Sequence, residues 1–171
     1  GYKQTEVGVI PEDWDSVCLG EIASVCMCKR IFTHQTKPNG DIPFFKIGSF
    51  GGDPDAFISN ELYEEYRRKY SFPSEGDILL SASGTLGKTV VFDGLDAYFQ
   101  DSNIVWLEVD KTKVCNAYLY QCYQLIKWAP AEGTTISRLY NGVICATPIA
   151  LPPTKAEQEA IAEALSDADA L

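Results

Sequence analysis

No apolar run in the 171 residues approaches the roughly 18 needed to cross a bilayer, so a membrane-spanning helix is excluded. The chain also shows no cationic start followed by an apolar stretch, which removes the signature of a secretory signal. Cations are scarce: 14 lysines and arginines face 24 acids, for a net charge of −10. That balance argues against a generic nucleic-acid binder. His34 is the single histidine, so any Ser–His or Cys–His nucleophile would have to use it, in a polar stretch beside Gln35 and Thr36. Metal ligands are equally thin. Cys26-x-Cys28 with His34 is the one metal-like grouping, and it falls short of the full tetrahedral set that structural zinc takes. Carboxylates abound, but no spacing marks out an acid/base pair. No internal repeat is visible.

Apolar material is ample, with 46% hydrophobic and 12% aromatic residues. That suffices for a packed core and excludes intrinsic disorder. The length fits one domain, alone or with an appendage. With such a core, the six cysteines are expected as reduced thiols of a cytoplasmic protein. The acid sits at the ends. Residues 1–21 set Lys3 against Glu6, Glu12, Asp13, Asp15 and Glu21, and residues 155–171 set Lys155 against Glu157, Glu159, Glu163, Asp167 and Asp169. The stretch between is nearly balanced, which leaves room for a locally positive face.

Residues 1–15 read as an arm of little periodicity. Cys18 to Val25 starts a short helix or strand, and Pro38-Asn39-Gly40 is a turn signal. Ile42 to Gly48 is strand-like. A helix follows, capped by Ser59 or Asn60, with Glu61, Glu64 and Glu65 early and Arg67, Arg68 and Lys69 late, an order that suits the helix dipole. Asp77–Ser81 and Thr89–Phe92 read as strands around a glycine-containing turn, and Asn103–Val109 as another. Asn116 opens a helix with the stripe Tyr118, Cys122, Leu125, Ile126. Gly133–Gly142 reads as a polar loop and Thr147–Leu151 as a last strand. After Pro152-Pro153, Thr154-Lys155-Ala156-Glu157 forms a capping box. It leads a helix with the apolar stripe Ile161, Ala164, Leu165, Ala168. Glu159, Glu163 and Asp167 repel one another at four-residue spacing, so this helix is expected to lean on a partner. Its pattern stops abruptly at Leu171, as though the chain were cut there.

Three groups of residues carry candidate chemistry. Ala82-Ser83-Gly84-Thr85-Leu86-Gly87-Lys88-Thr89 nearly matches a phosphate-binding loop. However, Ala82 replaces the first glycine, and a strand follows where a helix N-terminus is required. The same segment reads either as a plain glycine turn or as a turn whose Ser83, Thr85 and Lys88 contact phosphate or base. Thr134 to Asn141, with Thr135, Ser137, Arg138 and Asn141, has the side-chain types that read base edges, which solvated loops also carry. Lys29, Arg30, Lys46, Arg67 and Arg68 are the candidate phosphate contacts.

Taken in order, the segments resemble the specificity subunit of type I restriction-modification systems. Gly8-Val9-Ile10-Pro11-Glu12-Asp13-Trp14 resembles the family's opening G-x-I-P-x-x-W. Gly76-Asp77-Ile78-Leu79-Leu80-Ser81 and Ser83–Lys88 resemble its central strand and glycine turn. Gly133-Thr134-Thr135, then Ile149-Ala150-Leu151-Pro152-Pro153, then Glu157-Gln158-x-x-Ile161-Ala162-x-x-Leu165-Ser166 resemble its passage into a family helix. The likeness runs from about Glu6 to Leu171.

The resemblance implies an α/β (α+β) target recognition globule, with a twisted, mostly antiparallel or mixed sheet and flanking helices. It would occupy residues 1–152, and 153–171 would begin a spacer and assembly helix. It implies a non-catalytic subunit that reads half of a bipartite double-stranded DNA target and docks modification and restriction subunits. Glu157, Gln158, Ile161 and Leu165 are then the expected subunit contacts. S-adenosylmethionine, ATP and Mg²⁺ would belong to those partners, leaving no cofactor in this chain and no membrane association. Family members carry two recognition domains and two helices. Here there is one of each, and Thr154–Leu171 spans only about 25 Å. The expectation is a fragment of a longer subunit, or a half-subunit that pairs with a second copy or recognition domain. Two other classes stay open: a nucleotide hydrolase acting through 82–89, and a protein-interaction module whose one business is the C-terminal helix.

Overall fold

A computed structural model describes residues 1–135 and 137–170. Ile136 of the expected reading loop, and Leu171 where the helical pattern breaks off, lie outside the described residues. The strands are β1 (Tyr2–Thr5), β2 (Gly8–Pro11), β3 (Asp15–Cys18), β4 (Ala23–Cys26), β5 (Ile42–Phe45), β6 (Phe57–Ile58), β7 (Ile78–Ser81), β8 (Thr89–Val91), β9 (Tyr98–Phe99), β10 (Ile104–Val109) and β11 (Pro148–Leu151). The helices are α1 (Leu19–Ile22), α2 (Asn60–Lys69), α3 (Asn116–Leu125), α4 (Asn141–Cys145) and α5 (Lys155–Asp169). The mixed helix-and-sheet class matches the expectation. Among the described residues, β1–β2, β3–β11, β5–β6, β7–β8 and β7–β10 pair antiparallel and β5–β9 pairs parallel. The backbone divides into two compact units, each assembled from separate stretches: Gly1–Val25, Glu108–Lys127 and Tyr140–Leu171 in the first, Cys26–Leu107 and Trp128–Leu139 in the second.

In the first unit, residues 1–15 are more ordered than their weak periodicity suggests. β1 and β2 pair as a hairpin in the register Tyr2↔Pro11 to Thr5↔Gly8. Gly8 turns at φ +102°, a conformation that glycine alone adopts cheaply. β11 pairs with β3, and α1 packs on α4 so closely that a Cβ on Gly20 would lie 2.8 Å from Cys145 Cβ. The short α4 breaks what the sequence presents as one loop to Gly142, and Asn141 is its first residue. α3 buries Tyr118, Leu119 and Tyr123, while Leu125 is 80% exposed. The expected stripe was therefore displaced, because Leu125 is the helix's last residue and has no turn beyond it.

The same unit holds α5. Thr154 Oγ1 accepts from Glu157 N at 3.2 Å, as the cap requires. The apolar stripe does not form the buried face: Gln158 and Ala162 do, because the packing against α3 is centred on the first turns. Gln158 is completely buried. Its Oε1 accepts from Cys115 N at 3.0 Å, and its Nε2 donates to Lys113 O at 2.9 Å and Pro152 O at 3.3 Å. A buried amide is tolerable only when satisfied in this way.

The second unit is built on β7, whose Ile78–Ser81 are all buried between β10 and β8. Such a central strand needs continuous apolar residues, and Ile-Leu-Leu supplies them. β5 lies between β6 and β9. α2 is capped by Ser59, whose Oγ accepts from Leu62 N. The core is aromatic: Phe44, Tyr63, Phe92, Tyr98, Phe99 and Trp106 are buried together, with Phe72 packed on them. Tyr63 meets Tyr98 edge-on at 6.5 Å and Phe72 at 5.8 Å, the geometry that ring quadrupoles prefer.

Candidate nucleic-acid interface

The β7–β8 connection is an antiparallel turn, clamped from inside. Ser81 N donates to Lys88 O at 2.9 Å, and Lys88 N returns to Ser81 Oγ at 2.8 Å. Ser81 Oγ donates to Thr85 O, and Gly87 N to Ser81 O. The chain continues as β8, so no helix N-terminus faces the turn and a phosphate cradle of the nucleotide-binding kind does not form. Gly87 has a separate duty. It sits at φ +82°, and a Cβ there would lie 2.1 Å from Trp128 Cδ1, so the indole rests on bare backbone.

Three further irregular segments are stitched to this turn. Ser83 forms an isolated bridge with Arg138, Leu139 N donates to Ala82 O at 2.8 Å, and Ser137 Oγ donates to Gly84 O at 3.5 Å. The Arg138 guanidinium donates from Nη1 to Ser102 O at 2.9 Å and from Nη2 to Asn103 Oδ1 at 2.7 Å. Asn103 Nδ2 donates to Gln100 Oε1, which also accepts from Ile47 N. Lys88 Nζ donates to Phe50 O at 2.8 Å. Segments near 46–50, 82–88, 100–103 and 137–139 are thus one cross-linked cluster, although they come from distant parts of the chain.

Among the residues expected to act, the cluster gathers Lys46, Ser83, Thr85, Lys88, Ser137 and Arg138. Thr135 is exposed nearby in sequence. Arg30 joins through Asp101, at 3.0 Å. Lys29 lies over an exposed ring instead, its Nζ 5.2 Å from the centroid of Tyr70, and Arg67 lies against the aromatic core, 4.7 Å from Phe72; Arg68 is exposed on α2. Asn141 belongs to the other unit. Gln100, Asn103 and Trp128 escaped the sequence reading. The polar run Gln100-Asp101-Ser102-Asn103 before a strand was the available signal, and Ser102 there takes φ +63°, which L residues rarely adopt.

The cations differ in what holds them. Arg30 and Lys46 are paired with Asp101 and Asp55, which cancels their charge locally. Lys88 and Arg138 are held by neutral oxygens, and Lys29 and Arg67 by ring faces. A cation fixed by a neutral acceptor is positioned while keeping its charge for a phosphate. Beneath the cluster, burial pushes the Cys28 thiol up to about 12, and Tyr98, whose hydroxyl donates to Lys29 O, is likewise held protonated by burial.

Elsewhere the expected contact residues of α5 divide. Glu157 is half-buried and its Oε1 accepts from Trp14 Nε1 at 3.2 Å, whereas Gln158 is spent inside the unit and offers no side chain as a subunit contact. Ile161 is half-buried and Leu165 is 41% exposed. All six cysteines are thiols outside any disulfide. Among the described residues, no group of three or more His, Cys, Asp or Glu is placed to hold a metal ion, Cys26, Cys28 and His34 included. Nor is any described helix long and apolar enough to cross a membrane.

A family model described as the type I restriction modification DNA specificity domain matches residues 11–171. A curated type I restriction enzyme specificity subunit from Haemophilus influenzae is 56% identical over 153 residues, 90% of this chain and 40% of that protein. The fold resembles the HsdS subunit from Thermoanaerobacter tengcongensis, with a TM-score of 0.66 at 19% identity, over 97% of this chain and 39% of that one. It also resembles the S subunit from M. genitalium, with a TM-score of 0.63 at 19% identity, over 91% and 39%. The chain thus spans about 40% of the length of that curated relative.

Proposed function

The chain belongs to the type I restriction-modification DNA specificity family, and from that premise we propose that its second unit reads one half of a bipartite duplex target. The observation that carries this is the cross-linked cluster of polar segments, in which Lys88 and Arg138 are held by neutral oxygens. An array of this kind gives phosphates fixed charges and gives base edges rigid donors. Chemistry is then left to other polypeptides. Modification and restriction subunits would dock beside α5, where Leu165 is exposed and Ile161 half-buried, and would bring S-adenosylmethionine, ATP and Mg²⁺. In the intact cytoplasmic enzyme, a second recognition domain, in the same polypeptide or in a second copy, would read the other half of the site. The acidity of the isolated chain fits that division, since partners can supply much of the phosphate neutralisation.

The test is enrichment of duplexes from a random-sequence library by the full-length subunit assembled with its modification partner. A conserved half-site is expected, and recovery of unselected sequence overturns the proposal. Lys29→Ala should weaken every duplex alike and flatten the salt dependence by about one phosphate contact, a slope change of roughly 0.9.

A further inference from the structure

The loop after β4 carries an exposed aromatic that neither the core nor the cation cluster uses. Phe32 is 53% exposed, while Ile31 beside it is buried and anchors the loop. The His34 ring stacks on Phe32, nearly parallel at 14° and 5.9 Å between centroids. A solitary exposed phenylalanine is ordinary, but this one is held rigidly. Phe32 N donates to Gln35 Oε1 at 2.8 Å and Gln35 N to Phe32 O at 2.9 Å. Thr36 closes on Thr33 O through both its N–H and its hydroxyl, and Lys37 exchanges two backbone bonds with Phe57. On the other side, Tyr98 OH holds Lys29 O and Arg30 holds Asp101. The charge is of one sign: in a chain of net −10, residues 22–40 contain Lys29, Arg30 and Lys37 and no acid.

Building on the DNA-reading role above, the geometry points to Phe32 as a specificity residue that packs on a thymine C5-methyl group in the major groove. The Gln35 oxygen, which would otherwise accept from adenine, is already taken by Phe32 N, which leaves the Phe32 ring as the tip's apolar outward group, beside the exposed Thr33 and His34. The thymine methyl is the distinctive apolar feature of the base-pair edges. Lys29 and Lys37 beside the tip suit the flanking phosphates, and the His34 stack fixes the ring plane.

The experiment uses the assembled full-length subunit and the duplex recovered from the library selection, with each thymine of the half-site replaced in turn by deoxyuridine, which deletes the methyl group alone. The wild type is expected to lose about fourfold in affinity at one such position, the worth of one apolar carbon. Phe32→Ala should bind more weakly and show no loss there. Phe32 is half exposed, so its truncation leaves the core intact. Retention of the wild-type deoxyuridine effect by Phe32→Ala overturns the inference, as does wild-type indifference to every replacement. In both cases a recovered half-site leaves the DNA-reading role standing. If no half-site is recovered, that role fails first and this inference fails with it.

Discussion

Arg138 and Gln158 are both long polar side chains that the sequence presents as outward contacts, and both prove to tie backbone together. They differ in what is left over. Gln158 is completely buried, and its oxygen and amide nitrogen are engaged by Cys115, Lys113 and Pro152. Arg138 is half-buried and commits one N–H from each of two nitrogens to Ser102 and Asn103. A guanidinium has five N–H donors and a permanent charge, so it can brace a loop and still face a ligand. An amide of four valences, sealed inside, can only brace. Gln158 thus braces the first unit from inside, whereas Arg138 braces the second from a half-buried position with N–H donors to spare.

The largest effect that would test this contrast is Gln158→Leu. It strands the Cys115 amide and two carbonyls and should cost about 3 kcal/mol in urea unfolding. A cost near zero would mean that Gln158 is not the pin of α5. Next comes Gly87→Ala, where the left-handed backbone and the Trp128 ring both object. About 2 kcal/mol should be lost, with a shifted tryptophan emission spectrum. Arg138→Ala should cost only about 1 kcal/mol in stability yet relax the base preference of the assembled enzyme at one position, whereas Gln158 variants that still fold should leave that preference unchanged. The smallest effect is alkaline. Burial raises the Cys122 thiol of the first unit from 9.0 to about 11 and the Cys28 thiol of the second to about 12. Both stay protonated when folded, so their contribution is complete below pH 9 and is lost as pH rises through those values. An alkylating reagent scanned upward in pH should therefore reach Cys122 before Cys28, as followed by mass spectrometry.

The parts of the fold that were legible are the ones with local causes. Ser59 and Thr154 cap their helices through bonds made three residues away, and Ile78–Ser81 reads as a buried strand from its own composition. The β1–β2 hairpin was not legible, because each strand is only four residues long and Lys3-Gln4-Thr5 offers no apolar residue to mark a face. α4 was missed because five residues leave no period to detect. In the site, the cations were recognisable by type. The linkers were not: Gln100 meets Ile47 and Asn103 meets Arg138 across 53 and 35 residues of chain, and no local pattern encodes such a meeting.

The interleaving of the two units limits how a new specificity can be acquired. Transplanting residues 26–107 alone from a relative would leave residues 128–139 behind, and with them Trp128, on which Gly87 depends, and Arg138, which binds Ser102 and Asn103. Donor and recipient would then have to agree on both sides of each of these junctions. Recombination that exchanges target preference in this lineage should accordingly carry both stretches on one piece of gene, with the intervening α3 travelling as a passenger.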